Sequence, residues 1–194
     1  MKSKMKKVLI VIDAQEDFVR GSLGTKEAVA ALPVIQKLVR CMHNNYHEVY
    51  YTQDVHGDNY LDTQEGKMLP VKHCIYHTPG IELCPEVLED GVQYPFLMLK
   101  SSFGYTNFPE WEEWFTPDEN SAIYLCGFCT DICVMANFQI LKSLYPECPI
   151  YIVSDACAGV TPELHEAALK VMKSCQAIVI TSEEFEKQLT ETGE

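Results

Sequence analysis

The sequence has few basic residues, with 15 lysines and arginines against 28 aspartates and glutamates in 194 residues and a formal net charge of -13. Contacts with the phosphates of nucleic acid need clustered positive charge. Such a cluster is present only at the N-terminus, at Lys2, Lys4, Lys6 and Lys7. We therefore expect no nucleic acid partner.

Long apolar runs are also missing. None would span a bilayer, and the apolar segment after the basic N-terminus is too short for the core of a signal peptide. The nine cysteines are odd in number and scattered, without the regular spacing of a disulfide framework. We expect a soluble cytoplasmic protein with reduced thiols and no membrane partner. The length suits one domain, residues 1–194.

Short apolar segments alternate with segments of helical periodicity. The pattern predicts strands at residues 8–12, 48–52, 96–99, 122–125, 150–153 and 177–180. Continuous apolar strands are typical of a parallel sheet that is buried on both faces. The predicted fold class is therefore α/β, with a three-layer, doubly wound, mostly parallel sheet and helices on both faces.

The intervening helices have recognisable start signals. Pro33 suits the first turn of one helix, and Thr130 is the predicted N-cap of another. Thr161 followed by Pro162 begins a third helix, whose predicted inward face includes Leu164, Ala168, Val171 and Met172. Thr181 and Glu184 form a capping box.

Polar residues follow the predicted strands at their carboxyl ends. They are Asp13, Asp54, Lys100, the turn at residues 129–133, and Asp155. In parallel sheets, ligands bind outside the carboxyl ends of the strands. We expect these residues to meet at one edge of the sheet.

Cys133 is the candidate nucleophile. It follows an apolar strand and Gly127, in the first turn of a predicted helix, where the helix dipole favours the thiolate. Lys100 nearby would lower the pKa of the thiol, and Asp13 could accept its proton. The alternatives are that Cys133 is one more buried cysteine and that Asp13 and Lys100 form only an ion pair.

The turn before Cys133 could stabilise an oxyanion. Its backbone N–H groups, those of Cys129 and Cys133 first, could point at the oxygen of a carbonyl under attack. The combination of these groups fits acyl transfer from an amide.

A second set of residues suits a metal ion. Asp54 and His56 are followed at a distance by Glu65 and His73. A carboxylate with two imidazoles suits Zn, Fe or Mn. The alternative is a solvated polar loop, since histidine-rich loops are common at protein surfaces.

Five segments together resemble the isochorismatase-like cysteine hydrolases, and among them nicotinamidases, also called pyrazinamidases. The segments are residues 13–18 (DAQEDF), 52–56 (TQDVH), 69–74 (LPVKHC) with 78–80 (TPG), Lys100, and 127–134 (GFCTDICV).

The resemblance implies hydrolysis of nicotinamide to nicotinate and ammonia through a thioester. Asp13, Lys100 and Cys133 match the catalytic triad of that family. The peptide bond before the residue that matches Cys129 is cis there, which turns its N–H into the oxyanion hole.

The resemblance also implies one divalent metal ion, with zinc expected first and iron or manganese as alternatives. Its ligands would be Asp54, His56 and His73, and in some nicotinamidases a glutamate placed like Glu65. The metal holds the pyridine nitrogen in that family, and Phe18 would be an aromatic wall of the pocket.

This chain departs from nicotinamidases at several positions. Many of them have another histidine where this chain has residues 58–60 (DNY), so Glu65 is expected to complete the ligand set. Leu69 stands where a bulky aromatic residue is common, and Lys72 adds a residue before His73. The substrate pocket is therefore expected to have its own shape, and another small amide is possible as a substrate.

Three other functions compete with this one. Cys126 and Cys129 form a CxxC pair like that of thiol redox proteins. A binding protein without activity could share the scaffold, and a sister amidohydrolase acting on ureido compounds resembles this chain at the triad but lacks the metal ligands. Trp111 and Trp114 are expected to serve in packing or in contacts of a homo-oligomer.

Overall fold

The computed structural model describes residues 6–88, 95–108 and 117–190. In these ranges, six strands form one parallel sheet: β1 (Lys6–Ile12), β2 (Glu48–Asp54), β3 (Phe96–Lys100), β4 (Ser121–Phe128), β5 (Ile150–Ala158) and β6 (Ile178–Ile180). The α-helices described are α1 (Glu16–Val19), α2 (Lys26–Asn44), α3 (Gln64–Met68), α4 (Met135–Leu144), α5 (Pro162–Ser174) and α6 (Ser182–Thr190).

The order of the strands is β3-β2-β1-β4-β5-β6, which confirms the predicted doubly wound parallel sheet. β2 and β3 lie on one side of β1 in the sheet, and β4, β5 and β6 lie on the other side. Right-handed crossovers put α2 on one face and α4 and α5 on the other. α6 packs against α2, so both faces of the sheet are covered.

The central strands form the core because they are apolar along their whole length. All residues of β1 after Lys6 are buried, and so are all eight residues of β4. β3 is one of the two edge strands, and only Met98 and Lys100 of its five residues are buried. An edge strand that buries a lysine must offer that charge a partner.

Helix α2 begins earlier than the proline suggested. Its N-cap is Thr25, whose side chain accepts a hydrogen bond from the N–H of Ala28 at 3.0 Å. Pro33 therefore lies inside the helix and not in its first turn. It lies on the exposed side, where the carbonyl of Val29 that loses its donor can bind water.

Strand β5 extends further than predicted, so Asp155 is not at its carboxyl end. The Asp155 carboxylate instead accepts hydrogen bonds from the N–H and hydroxyl of Ser182 at 2.8 and 2.6 Å, and so begins α6. Two predicted inward residues of α5, Leu164 and Val171, are exposed.

The segment that follows β2, residues 55–79, contains local structure. Short 3-10 turns at Tyr60–Asp62 and Pro79–Ile81 flank α3. Trp111 and Trp114 lie outside the described residues. Among the helices that the structure describes, none combines the length and the apolar character needed to cross a membrane.

Gly127 is required where β1 meets β4. Its φ of 112° lies in the left-handed region, and a Cβ atom there would collide with the backbone carbonyl of Ile12. We expect Gly127→Ala to lower the free energy of unfolding by about 2 kcal/mol or more, because backbone atoms cannot give way as a side chain does.

Urea unfolding tests this prediction, with Gly57→Ala as the matched control. A Cβ at Gly57 would approach only the side-chain oxygen of Asn59, which can rotate away. Equal stability losses in the two variants would contradict the proposed collision.

Candidate active site

Asp13, Lys100 and Cys133 converge at the carboxyl ends of three strands. The Lys100 ammonium lies 2.7 Å from Asp13 Oδ2 and 3.8 Å from Cys133 Sγ. All three residues are buried. The sequence-predicted triad is thus one contiguous cluster, formed by the ends of β1 and β3 and by the turn after β4.

Thr52, on neighbouring strand β2, fixes the Asp13 carboxylate. Its hydroxyl donates to Asp13 Oδ1 at 2.6 Å and accepts the N–H of Asp13 at 3.1 Å. Asp13 has a φ of 47°, so the chain turns sharply there. The sequence analysis missed Thr52, although its position two residues before Asp54 places both side chains on the same side of β2.

Burial and the neighbouring charges have opposite effects on the pKa values of the groups in this cluster. Burial raises the pKa of Asp13, and Lys100 only partly offsets that effect. Burial alone would lower the pKa of Lys100, but the negative charges of Asp13 and Asp54 outweigh this effect and raise it. The lysine therefore remains an ammonium between acidic groups.

Lys100 lowers the pKa of the Cys133 thiol, as predicted, but it does not decide the net direction in the free protein. Burial raises the pKa of the thiol, Asp13 and Asp54 add to this, and the opposing effect of Lys100 is smaller. Cys133 is accordingly a neutral thiol until a base accepts its proton. Asp13 is a carboxylate placed to do so, since the two side chains share the Lys100 ammonium.

The turn that carries Cys133 differs from a capped α-helix. Residues Thr130–Val134 form a wide π-helical turn before α4, with Cys129 at the N-cap. Thr130 is therefore not the cap; its hydroxyl hydrogen-bonds His165 Nδ1 at 2.8 Å. The N–H groups of Ile132 and Val134 both donate to the carbonyl of Cys129 at 3.1 Å.

The peptide bond between Phe128 and Cys129 is cis, as the resemblance implied. Cys126 lies within β4 and is fully buried, whereas the first cysteine of a redox CxxC pair opens a helix. All nine cysteines are described, and all are free thiols.

Asn137 connects the nucleophile to the loop after Lys100. This fully buried side chain donates to the carbonyl of Cys133 at 2.8 Å and to that of Phe103 at 3.4 Å, and it accepts the N–H of Tyr105 at 2.9 Å. Sequence analysis missed this residue, because a lone asparagine in a helix carries no signal of its partners.

We expect Asn137→Leu to lower the free energy of unfolding by about 2–4 kcal/mol, because it leaves several buried backbone groups unpaired. Asn45→Leu is the control, since Asn45 makes the same kind of bond to the carbonyl four residues earlier, at 2.8 Å, but on the partly exposed end of α2. Chemical denaturation of both variants measures the difference; a smaller loss at Asn137 than at Asn45 would refute the bridging role.

Asp54, His56 and His73 form a compact cluster beside the triad. One ligand atom from each lies within 4.8 Å of the others. His56 Nε2 is 2.9 Å and His73 Nε2 is 3.7 Å from Asp54 Oδ2. Glu65 Oε1, from α3, lies 3.7 Å from Nε2 of each histidine.

The donor set fits a divalent metal ion. Ligand atoms around a tetrahedral ion with bonds of about 2.0–2.1 Å are separated by roughly 3.3 Å, close to the distances found here. Two carboxylates and two imidazoles are suitable donors for a borderline cation. Asp54 Oδ1, which is buried, makes no hydrogen bond and lies 3.4 Å from the Lys100 ammonium.

Hydrogen bonds to surrounding residues orient the side chains and backbone of the candidate metal ligands. His73 Nδ1 donates to the carbonyl of Val71 at 2.9 Å. Because the proton is on Nδ1, Nε2 has a lone pair available to a metal ion. Gln15 accepts the N–H of Asp54 at 2.7 Å and donates to the carbonyls of Asp54 and Ile81 at 2.9 and 2.8 Å. Tyr60 packs against both histidine rings, with centroids 4.8 Å from His56 and 5.0 Å from His73.

A cavity of about 730 Å³ opens onto both clusters. Phe18 and Leu69, the two predicted pocket residues, both line it, together with Asp54, Glu65, His73, Cys129 and Cys133. The ring of Phe18 meets that of His73 edge-on at 5.5 Å. The cavity is therefore a single binding cleft in which nucleophile and metal donors are exposed to the same ligand.

Known proteins are similar to this chain in sequence and in fold. The family described as Isochorismatase domain matches residues 7–184. The nicotinamidase/pyrazinamidase of Mycobacterium tuberculosis is 25% identical, covering 91% of this chain and 99% of that protein. The nicotinamidase of Schizosaccharomyces pombe is also 25% identical, covering 91% and 93%. The structure of a Bacillus subtilis nicotinamidase is 28% identical, with a TM-score of 0.75 over 90% of this chain and 99% of that one.

The family match extends over nearly the whole chain, so this protein belongs to the isochorismatase family. Within the family it is a cysteine hydrolase that acts on an amide.

Proposed function

We propose that this protein hydrolyses nicotinamide to nicotinate and ammonia, with one divalent metal ion, most simply zinc. The observation that carries the proposal is the convergence of Asp13, Lys100 and Cys133 with a metal donor set in one cleft. The named activities of its relatives support the substrate. In the cell, we propose a cytoplasmic role in recycling nicotinamide for NAD synthesis.

In the first half of the proposed reaction, Asp13 takes the proton of the Cys133 thiol and the sulfur attacks the amide carbon. The backbone N–H groups of Cys129 and Cys133 stabilise the oxyanion that forms. Asp13 then returns the proton to the nitrogen as the C–N bond breaks. Ammonia leaves, and the acyl group remains on sulfur as a thioester.

In the second half, Asp13 removes a proton from the water that attacks the thioester carbon. The C–S bond breaks, the sulfur recovers the proton, and nicotinate departs. Lys100 remains protonated throughout and offsets the negative charge that moves between Asp13 and Cys133.

Asp54, His56, Glu65 and His73 would hold the metal ion. A bound divalent ion would supply a Lewis-acid site for the ring nitrogen of the substrate. The donor set also bears on the competing function, because amidohydrolases that act on ureido compounds share the triad without these ligands. Nicotinamide is therefore the better candidate.

The direct test measures ammonia release from nicotinamide by the purified protein, with metal content read by elemental analysis on the same sample. Release by metal-loaded protein supports the proposal. A metal-loaded sample that releases none excludes nicotinamide and leaves the family's cysteine chemistry to be tested on other amides.

Replacing the proposed nucleophile distinguishes a catalytic role of Cys133 from a structural one. We expect Cys133→Ala to abolish turnover, with a loss of at least about a thousandfold, because Cys133 carries the thiol that lies beside the Lys100 ammonium, at 3.8 Å. Metal content and thermal stability should be preserved. Cys148→Ala is the control: this thiol is equally buried but precedes β5, at the opposite edge of the sheet. Activity that survives in Cys133→Ala would disprove the mechanism.

Glu65 is the proposed fourth ligand. We expect Glu65→Gln to weaken zinc binding by at least about tenfold, because an amide is a poorer donor than a carboxylate. Competition with a chromophoric chelator measures the affinity. Glu166→Gln, on the exposed side of α5, controls for the lost charge. Equal affinities in the two variants would show that Glu65 is not a ligand.

A further inference from the structure

The cleft has a polar interior and an apolar mouth. Asp54, His56, His73 and Cys133 are buried, whereas most of the apolar residues around them are half-buried or exposed in the free protein. These apolar residues come from five separate segments of the chain: Leu23, Met68, Leu69, Phe103, Ile132 and Val160. We call this set the apolar mouth.

The apolar mouth is larger than the proposed substrate requires. A single ring with a carboxamide occupies only a small part of about 730 Å³, a volume in the range of pockets that hold drug-sized ligands, roughly 300–1,000 Å³. Met68 is 82% exposed and Phe103 49%. Large apolar side chains grouped at a binding site are typically covered when the ligand binds.

Charge also distinguishes the apolar mouth. Among the lining residues that the structure describes, the acidic groups are Asp54 and Glu65, both in the metal cluster, and no lysine or arginine is present. Apart from His73 of the metal cluster and the two cysteines, the other polar lining residues carry no charge: Thr25, Gln64, Ser101 and Ser102. A substituent that reaches the mouth therefore meets no positive partner, so a phosphate or carboxylate on it would lose hydration without compensation.

The reaction geometry limits where a substituent can be attached. If the ring nitrogen faces the Asp54 cluster and the carboxamide faces Cys133, two meta positions of the pyridine ring are used. The third meta carbon points away from both clusters. A group on this carbon can extend from the buried site without displacing either anchor.

We propose that the enzyme's preferred substrate class is heteroaromatic carboxamides that carry an uncharged apolar substituent at this third meta position, with the substituent bound by the apolar mouth. The inference rests on the proposed function, since it takes the orientation of the ring from it. It goes beyond that function by assigning the outer half of the cleft a role in specificity.

The test compares kcat/KM for three amides with the metal-loaded enzyme. They are nicotinamide, its derivative with a butyl chain at the third meta carbon, and a derivative with a chain of the same length that ends in a carboxylate. Burial of a methylene raises binding about fourfold, and a half-open cleft recovers about half of that free energy, or twofold per methylene. With four carbon atoms in its chain, the butyl derivative should therefore exceed nicotinamide roughly 15-fold, and the carboxylate derivative should not exceed it.

A matched pair of variants tests whether the substituent binds at the apolar mouth. Val160 in the mouth is 48% exposed, and Val171 on α5 is 46% exposed but does not line the cleft. Val160→Ala should lower the ratio of kcat/KM for the butyl derivative to that for nicotinamide by about two- to threefold. Val171→Ala should leave the ratio unchanged.

The outcomes separate the two proposals. Hydrolysis of nicotinamide with no gain for the butyl derivative would overturn the substrate class and leave the proposed function intact. Equal gains in kcat/KM from the butyl and carboxylate chains would overturn the proposed preference for an uncharged substituent. Failure of the metal-loaded enzyme on all three amides would overturn the proposed function and, with it, this inference.

Discussion

The buried ammonium of Lys100 is the group on which the site depends. It contacts Asp13 Oδ2 at 2.7 Å, Asp54 Oδ1 at 3.4 Å and Cys133 Sγ at 3.8 Å. A lysine in the interior is costly unless it is paired, and here its partners belong to both functional clusters. The nucleophile and the metal donors therefore cannot be arranged independently. Each depends on the position of the same charge.

The strand order makes this arrangement possible. β3, β2, β1 and β4 are adjacent, so their carboxyl ends deliver Lys100, Asp54, Asp13 and the cysteine turn side by side. The register aligns Asp54 with Lys100 and Ile12 with Gly127. Residues far apart in the chain thus meet at one end of the sheet, and a hydrogen bond from Thr52 of β2 fixes the Asp13 side chain.

The inner and outer parts of the cleft have different origins. Asp13, Asp54, Lys100 and Cys133 stand on strand ends and on the turn before α4, which the packed sheet supports. Glu65 comes from the short helix α3, and His73 from the segment that follows it. The mouth is built mostly from loops and α3, with Ile132 from the turn before α4. Loops generally tolerate changes better than a packed sheet does.

Local patterns in the sequence were sufficient for the strands and for two of the four predicted helix starts, because apolar runs and capping residues act over a few positions. Thr161 and the pair Thr181 and Glu184 do cap their helices as predicted. Local patterns failed where a distant partner decided the outcome. Thr130 bonds His165 instead of capping a helix, and the sequence contained no sign of this contact.

The amino-acid sequence by itself determined the strands of a parallel sheet and the candidate residues Asp13, Lys100, Cys133, Asp54, His56, Glu65 and His73. Only the tertiary structure decided their environment. Burial reverses the expected direction of the Cys133 pKa, Asn137 and Thr52 hold the reacting groups, and five segments combine into the apolar mouth. Desolvation and contacts across the chain depend on the packed fold, which no short stretch of sequence encodes.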